Sequence, residues 1–156
     1  MEIRMAQVRD IPGMIELLKQ VGEVHHQIRP DLFRSGAQKY DEAALEALLR
    51  DESRPIFIAE EQGCVLGYAF CIHKLTEHNP VLCDRRELYI DDLCVDENCR
   101  GTGVGKQLYE RVLAYARELK FDAVTLNVWC GNDSAMRFYE NAGLRPRNIT
   151  METKLC

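Results

Sequence analysis

The segment CRGTGVGKQL, residues 99–108, sets three glycines and two basic residues into one short stretch. A strand-like run over 87–95 precedes it, and apolar residues at 104, 108, 112, 115, 116 and 119 follow it at helical spacing. Glycines at that density let the backbone itself approach a partner. The first turn of a helix offers unpaired N–H groups and the positive end of the helix dipole. Strand, glycine loop and helix therefore outline a phosphate or pyrophosphate site over residues Arg100, Gly101, Thr102, Gly103, Val104, Gly105 and Lys106. A glycine-rich turn that touches no ligand is the plain alternative.

Two rival loops are excluded by spacing. A P-loop needs GxxxxGK[ST], and here Gln107 follows Gly105-Lys106, so no hydroxyl is placed for magnesium. A dinucleotide fingerprint needs GxGxxG on the first strand of a βαβ unit. Gly101-x-Gly103-x-Gly105 has another spacing and lies late in the chain.

The rest of the pattern reads as one domain, 1–156. A first strand covers 2–8. Asp10 is placed to cap a helix through Met14, Leu17, Leu18 and Val21. Residues 25–36 hold Pro30 and Gly36 with no clear period, and read as a loop or broken helix. Asp41 caps a second helix with Leu45, Leu48 and Leu49. Strands at 55–60 and 64–72 flank the Gln62-Gly63 turn, a hairpin signal. A polar connection spans 74–85. After the 87–95 strand and the helix from Val104 come a strand at 123–129 and a helix marked by Ala135, Phe138, Tyr139 and Ala142. Gly143 ends that helix as a C-cap, and a last strand covers 147–155. Helices interrupt a mostly antiparallel run of strands, so the class is α/β of mixed, α+β type.

Bulk properties narrow the function. A net charge of −5 argues against a nucleic-acid binder, which needs a basic surface to neutralise phosphates, and mildly favours cationic substrates. The longest apolar run, 64–72, is well short of the ~20 residues that span a bilayer, and the charged start MEIRMAQVRD has no signal-peptide core. A cytoplasmic location without membrane association is expected. The 7 cysteines form no CxxC pair and no zinc-like pattern with the histidines, so reduced thiols and no metal are expected.

Two segments together carry a resemblance. Arg100-x-x-Gly103-x-Gly105 resembles the acyl-coenzyme A signature of the GNAT superfamily of N-acetyltransferases. Asn132-x-x-Ala135-x-x-Phe138-Tyr139-x-x-x-Gly143-Leu144 resembles the family's other signature, with Leu144 where Phe is commoner. The likeness is good over 87–156, while before that only the element order matches. It implies a largely antiparallel central sheet, splayed between the fourth and fifth strands, with helices on both faces. Acetyl-CoA would lie in the splay. Its pantetheine arm would pair with backbone around Leu93, Cys94 and Val95, its pyrophosphate would sit on N–H groups from Arg100 to Lys106, and Asn132 and Ala135 would border the arm. Asn132 also suits a helix N-cap.

Acetyl transfer to an amine needs a neutral nucleophile, although a free alkylammonium has a pKa near ~10. It also needs donors for the oxyanion and a proton for the departing thiolate. Tyr139 matches the family tyrosine facing the coenzyme sulfur and is the expected general acid; packing on the helix's core face is the other role its spacing allows. For the base, Glu87, Tyr89 and Asp91 share a face of a regular strand, with Glu87 and Asp91 roughly 13 Å apart. Ile90-Asp91-Asp92-Leu93 resembles the strand of spermidine/spermine acetyltransferases, which makes Asp91 the expected base, acting directly, through water, or by attracting the ammonium. Asp92 is expected near the acceptor, and Glu87 as an ion-paired surface carboxylate. Histone-type members place a glutamate where this chain has Tyr89. The 25–36 segment lies where the family builds a wall of the acceptor site, so His26 and Phe33 are candidate contacts or merely pins for the loop. The acceptor is expected to be a small cationic amine, with a protein N-terminus or lysine as the alternative, and a CoA-binding sensor without turnover as a reading of another class. The resemblance also implies a possible homodimer through the final strand.

Overall fold

The computed structural model describes residues 1–155. Five strands form one sheet in chain order: β1 (Glu2–Met5), β2 (Ile56–Glu61), β3 (Cys64–Thr76), β4 (Arg85–Val95) and β5 (Ala123–Leu126). The first four pair antiparallel and β5 runs parallel to β4. Four helices cover it: α1 (Ile11–Ile28), α2 (Glu42–Leu49), α3 (Val104–Glu118) and α4 (Asp133–Asn141). No helix among the described residues is long and apolar enough to cross a membrane.

Each face of the sheet has its own core. Met14, Leu17 and Leu18 of α1 and Leu45 of α2 pack on Ile56, Ile58, Tyr68 and Phe70. Val104, Leu108 and Val112 of α3 pack on Phe57, Ala69, Leu88 and Ile90 from the other side. Those α3 residues sit at the expected positions of one helical face, and each such side chain contributes roughly 1.5–3 kcal/mol by leaving water.

Two features open the sheet at one end. The β4–β5 ladder covers only Glu87–Ile90 against Ala123–Leu126, so 91–95 have no partner on the β5 side. On the other side of β4 the register breaks: Asp92 opposes Phe70 and Ile90 opposes Cys71, leaving Asp91 as an extra residue. A bulge of this kind bends the strand and increases its twist, which turns 91–95 away from β5. This is the splay expected between the fourth and fifth strands.

Several boundaries differ from the sequence pattern. β1 ends at Met5, because a 3-10 turn at Val8–Asp10 follows. Asp10 makes no side-chain cap on α1. Its buried carboxylate instead accepts from Arg4 at 2.8 and 2.9 Å and from the Gln7 N–H at 2.7 Å. α1 continues through His25 and His26 to Ile28, stopping where Pro30 disfavours helix at Arg29. β3 continues to Thr76, pairing with Arg85–Leu88; Lys74 and Leu75 of β3 and Arg85 and Arg86 of β4 are exposed there, so no burial period marks this end. β5 ends at Leu126. No strand forms over 147–155. Side-chain ion pairs hold that segment: Arg147 to Glu87, Glu152 to Arg29 and Lys154 to Asp31.

Candidate active site

The glycine loop meets α3 as the motif required. Gly101 and Gly103 have φ of 76° and 91°, and nothing lies within 4 Å of where a Cβ would stand on either. A side chain there would be strained by the backbone rather than crowded. Gly103 takes the N-cap position of α3, no side chain caps that end, and the first turn has no acidic residue. Its first-turn N–H groups therefore face outward beside Arg100 and Lys106. Thr102 donates to the Cys99 carbonyl at 2.5 Å, which tightens the loop. Lys106 lies 3.8 Å from Glu110, one turn on, in an exposed pair of little energetic weight. An anion fits this cradle in charge and in backbone approach. The Val104 side chain is buried in the core, and a Cβ on Gly105 would stand 3.4 Å from Val95 and 3.5 Å from the Phe138 ring.

The second signature packs against the first. Asn132 caps α4 by accepting from the Ala135 N–H at 3.3 Å. Tyr109 of α3 lies edge-on to Phe138 and Tyr139, with centroids 6.5 and 6.3 Å away. Gly143, at φ 95°, follows α4 as expected for its C-cap. Burial drives the Tyr139 phenol well above its ordinary value, and the charge of Asp92 pushes the same way. The phenol is thus protonated at any working pH and within electrostatic reach of β4.

The β4 bulge sorts the carboxylates. Leu88 and Ile90 belong to the α3-side core, and beyond the bulge Leu93 and Val95 pack there too. Asp91 and Asp92 are adjacent in sequence, yet both reach partners on the α1–α2 side. Asp91 accepts from Lys39 Nζ at 2.7 Å and from the Tyr40 hydroxyl at 3.1 Å. Asp92 accepts from the Tyr68 hydroxyl at 2.7 Å. Burial raises Asp92 to about 6; the Tyr68 hydrogen bond and the Lys39 charge oppose that shift, and the Asp91 charge adds to it. The Cys94 thiol is turned to α1, 3.6 Å from the Leu17 carbonyl, so only its backbone is placed near the splay. Glu87 is ion-paired with Arg85 and Arg147. Burial works to raise Glu87, and the two arginines prevail, so its carboxyl is lowered.

The loop after α1 closes one side. His26 Nδ1 lies 2.7 Å from the Phe33 carbonyl, which ties the loop to the helix end. The Phe33 ring sits between His25 and Trp129, with centroids 5.0 and 5.1 Å away. Both candidates thus pin the loop, and Phe33 joins it to the chain just after β5. A row of Tyr68, Phe70 and Tyr40 continues on the sheet face, with centroids 4.6 and 5.6 Å apart. Lys39, Tyr40, Tyr68 and Trp129 escaped the sequence reading. Only Tyr68 left a trace, as a polar tip inside an apolar strand.

A cavity of about 480 Å³ lies elsewhere, lined in part by Met5, Leu48, Ile56, His73, Tyr115 and Leu119. It holds none of the loop, bulge or α4 residues. No group of three or more His, Cys, Asp or Glu among the described residues is arranged to hold a metal.

A sheet split beside a bulged strand, with a glycine-capped helix at the base of the split, defines an acyltransferase-type domain. Residues 22–144 match the family model for the acetyltransferase (GNAT) family, and the chain belongs to that family. The match begins well before β4, upstream of the two signatures. Over 108 residues the chain is 33% identical to mycothiol acetyltransferase of Thermobispora bispora; that covers 64% of this chain and 35% of the relative, so the chain spans about a third of it. A solved variant of the BH1408 protein from Bacillus halodurans has a TM-score of 0.95 at 33% identity, covering 100% of both chains. The aminoglycoside N-acetyltransferase AAC(6')-Iy, solved in complex with CoA, has a TM-score of 0.72 at 17% identity over 99% of this chain and 100% of that one, a likeness of fold.

Proposed function

We propose that this chain moves an acetyl group from acetyl-CoA to the primary amine of a small cationic acceptor by direct attack. The observation that carries the reading is the bulge, beside which Asp91 and Asp92 both find partners on the α1–α2 side, with Asp92 within electrostatic reach of Tyr139. The thioester would supply the activated acetyl group. The N–H groups from Gly103 to Lys106, with Arg100, would hold its pyrophosphate, and the β4 edge that β5 leaves uncovered at Leu93 and Val95 would hold its pantetheine arm, beside Asn132 and Ala135, once Arg100 Nε gives up its 3.5 Å contact with the Val95 carbonyl.

Asp91, partly exposed, draws in the acceptor ammonium. Asp92 is the carboxylate with the greater appetite for its proton. Passing a proton from an alkylammonium near ~10 to a group near 6 is uphill by roughly 4 pK units, or about 5–6 kcal/mol. A turnover of ~10 s⁻¹ corresponds to a barrier of about 16 kcal/mol, so that step fits within it. An ordinary aspartate at ~4 would add nearly 3 kcal/mol more. Tyr139 donates to the departing sulfur. Because its phenol is a weaker acid than an ordinary thiol near ~8.5, it acts by hydrogen bonding rather than by full transfer.

Release of free coenzyme A thiol, measured over a panel of di- and polyamines, amino sugars, amino acid amides and peptides, tests the reading. Thiol release with the small cations supports it. Release with peptides alone would move the acceptor to proteins. CoA binding without release from any amine would make the chain a sensor.

A further inference from the structure

The amine closest to the acidic pair is the chain's own. Lys39, between α1 and α2, holds its Nζ 2.7 Å from Oδ2 of Asp91, the oxygen that also accepts from Tyr40. That is the position in which an acceptor ammonium would meet Asp91. The segment bearing Lys39 is fastened so that the contact forms. A Cβ on Gly22 of α1 would stand 2.7 Å from the Ala37 carbonyl, so the loop backbone lies directly on the helix at a glycine. Gln38 donates to the Tyr40 carbonyl at 2.7 Å, and the Tyr40 ring stacks on Phe70. The Lys39 side chain is nevertheless 46% exposed, so solvent reaches the pair. Burial works to lower the Lys39 ammonium, but the hydrogen bond and charge of Asp91, aided by Tyr40 and Asp92, leave it raised. It is a standing cation and a poor nucleophile.

We propose that Lys39 is a displaceable occupant of the acceptor-ammonium position on Asp91, and that a cationic acceptor binds by exchanging with it. The proposal rests on the acceptor face described under the proposed function. Its consequence is selection. A neutral molecule cannot displace Lys39, and a cation binds with an affinity reduced by the strength of the internal pair. For a partly exposed pair worth up to ~1 kcal/mol that is about five-fold.

Two measurements test this. In the first, a brief pulse of acetic anhydride is read by mass spectrometry as the modification of Lys39 relative to exposed Lys120. The added probe is tetramethylputrescine, a tertiary diamine that carries N–H⁺ groups but cannot be acetylated. We expect it to raise Lys39 modification several-fold in the intact protein, to the level seen in Asp91→Asn, and to have no effect in that variant. Unchanged Lys39 modification in the intact protein would overturn the proposal. In the second, Lys39→Met should lower KM about five-fold for whichever amine the panel selects, with the acetyl-CoA KM unchanged; a higher amine KM would make Lys39 a binding residue and not a competitor. Conversion of Lys39 to its amide by acetyl-CoA alone would make it an acceptor and also sink the idea. The pulse experiment needs no turnover, so a protein that acetylates nothing would refute the proposed reaction while the labelling still decides the exchange.

Discussion

The two sides of the splay are built in opposite ways. The side proposed to hold the donor is local and made of backbone. Its cradle comes from contiguous residues, Arg100 to Lys106, at one helix start, and its wall from the next helix along the chain. The side proposed to take the acceptor is assembled from distant side chains: Lys39 and Tyr40 from a loop, Tyr68 from β3, Asp91 and Asp92 from β4, Phe33 and Trp129 from distant parts of the chain. Backbone recognition of a phosphate needs only glycine and a free helix end, which tolerates change elsewhere. Side-chain recognition of an amine depends on each contributor, and every one can change without moving the fold.

Substitutions can break or sharpen that contrast. The largest effect is expected at Tyr139, which we propose donates to the leaving sulfur. Tyr139→Phe, which removes one donor to a developing anion, should lower kcat on the order of 10²–10³-fold while leaving the KM values for acetyl-CoA and amine within about three-fold. Unaltered turnover across pH would remove its role at the leaving group.

Next is Asp92→Asn, which keeps an acceptor for Tyr68. We expect kcat/KM to fall about 10²-fold and to lose the rise with an apparent pKa of about 6. Stability gives an independent reading. A folded-state pKa raised above the unfolded ~4 contributes stability that is full below pH 4 and is lost as pH climbs through 6. Relative to wild type, Asp92→Asn should therefore gain stability between pH 4 and 7, measured by urea unfolding at each pH. A flat difference would mean that the carboxyl is not raised. If Asp91→Asn erases the pH 6 limb instead, the two aspartates exchange roles.

Gly103→Ala probes the donor side alone. Its φ of 91° costs an alanine about 1–2 kcal/mol, so the acetyl-CoA KM should rise about ten-fold with the amine KM unchanged. Equal rises in both would mean the sides are not separable.

The smallest effect is expected from Gly22→Ala on the acceptor side. Helix propensity favours alanine by roughly 1 kcal/mol, but its Cβ would lie 2.7 Å from the Ala37 carbonyl. Leu17 and Leu18 anchor α1 in the core, so the loop must give way. Stability should change by less than about 1 kcal/mol, while the amine KM shifts two- to three-fold and the acetyl-CoA KM does not move. Loss of folding would show that the loop, not α1, is the rigid partner.

What could be read from residues alone follows the same division. The glycine loop, α3, the Asn132 cap and Gly143 lie where local spacing placed them, because each depends on neighbours within a turn or two. The bulge was hidden. Leu88, Ile90, Leu93 and Val95 break the period of two at Asp91-Asp92, yet two adjacent aspartates in a strand read equally well as one residue on each face of a regular one. The role expected for Asp10 failed for a related reason: a capping residue before a helix looks the same whether its carboxylate meets the helix or a distant arginine. The 147–155 segment has apolar residues spaced as in a strand, but a strand exists only by pairing with a neighbour, and none of the described residues supplies one. Lys39 left no signal, since one lysine in a polar loop resembles any other.

By itself, then, the order of residues determined the class of sheet, the glycine loop that opens α3, and the family. Those rest on short-range rules of dihedral angle, capping and period. The tertiary structure alone decided that Asp91 and Asp92 share a face, that burial raises one of them to about 6, and that Lys39 occupies the other. Charge placement of that kind depends on what lies opposite in space, and residues up to 52 positions apart in the chain supply it.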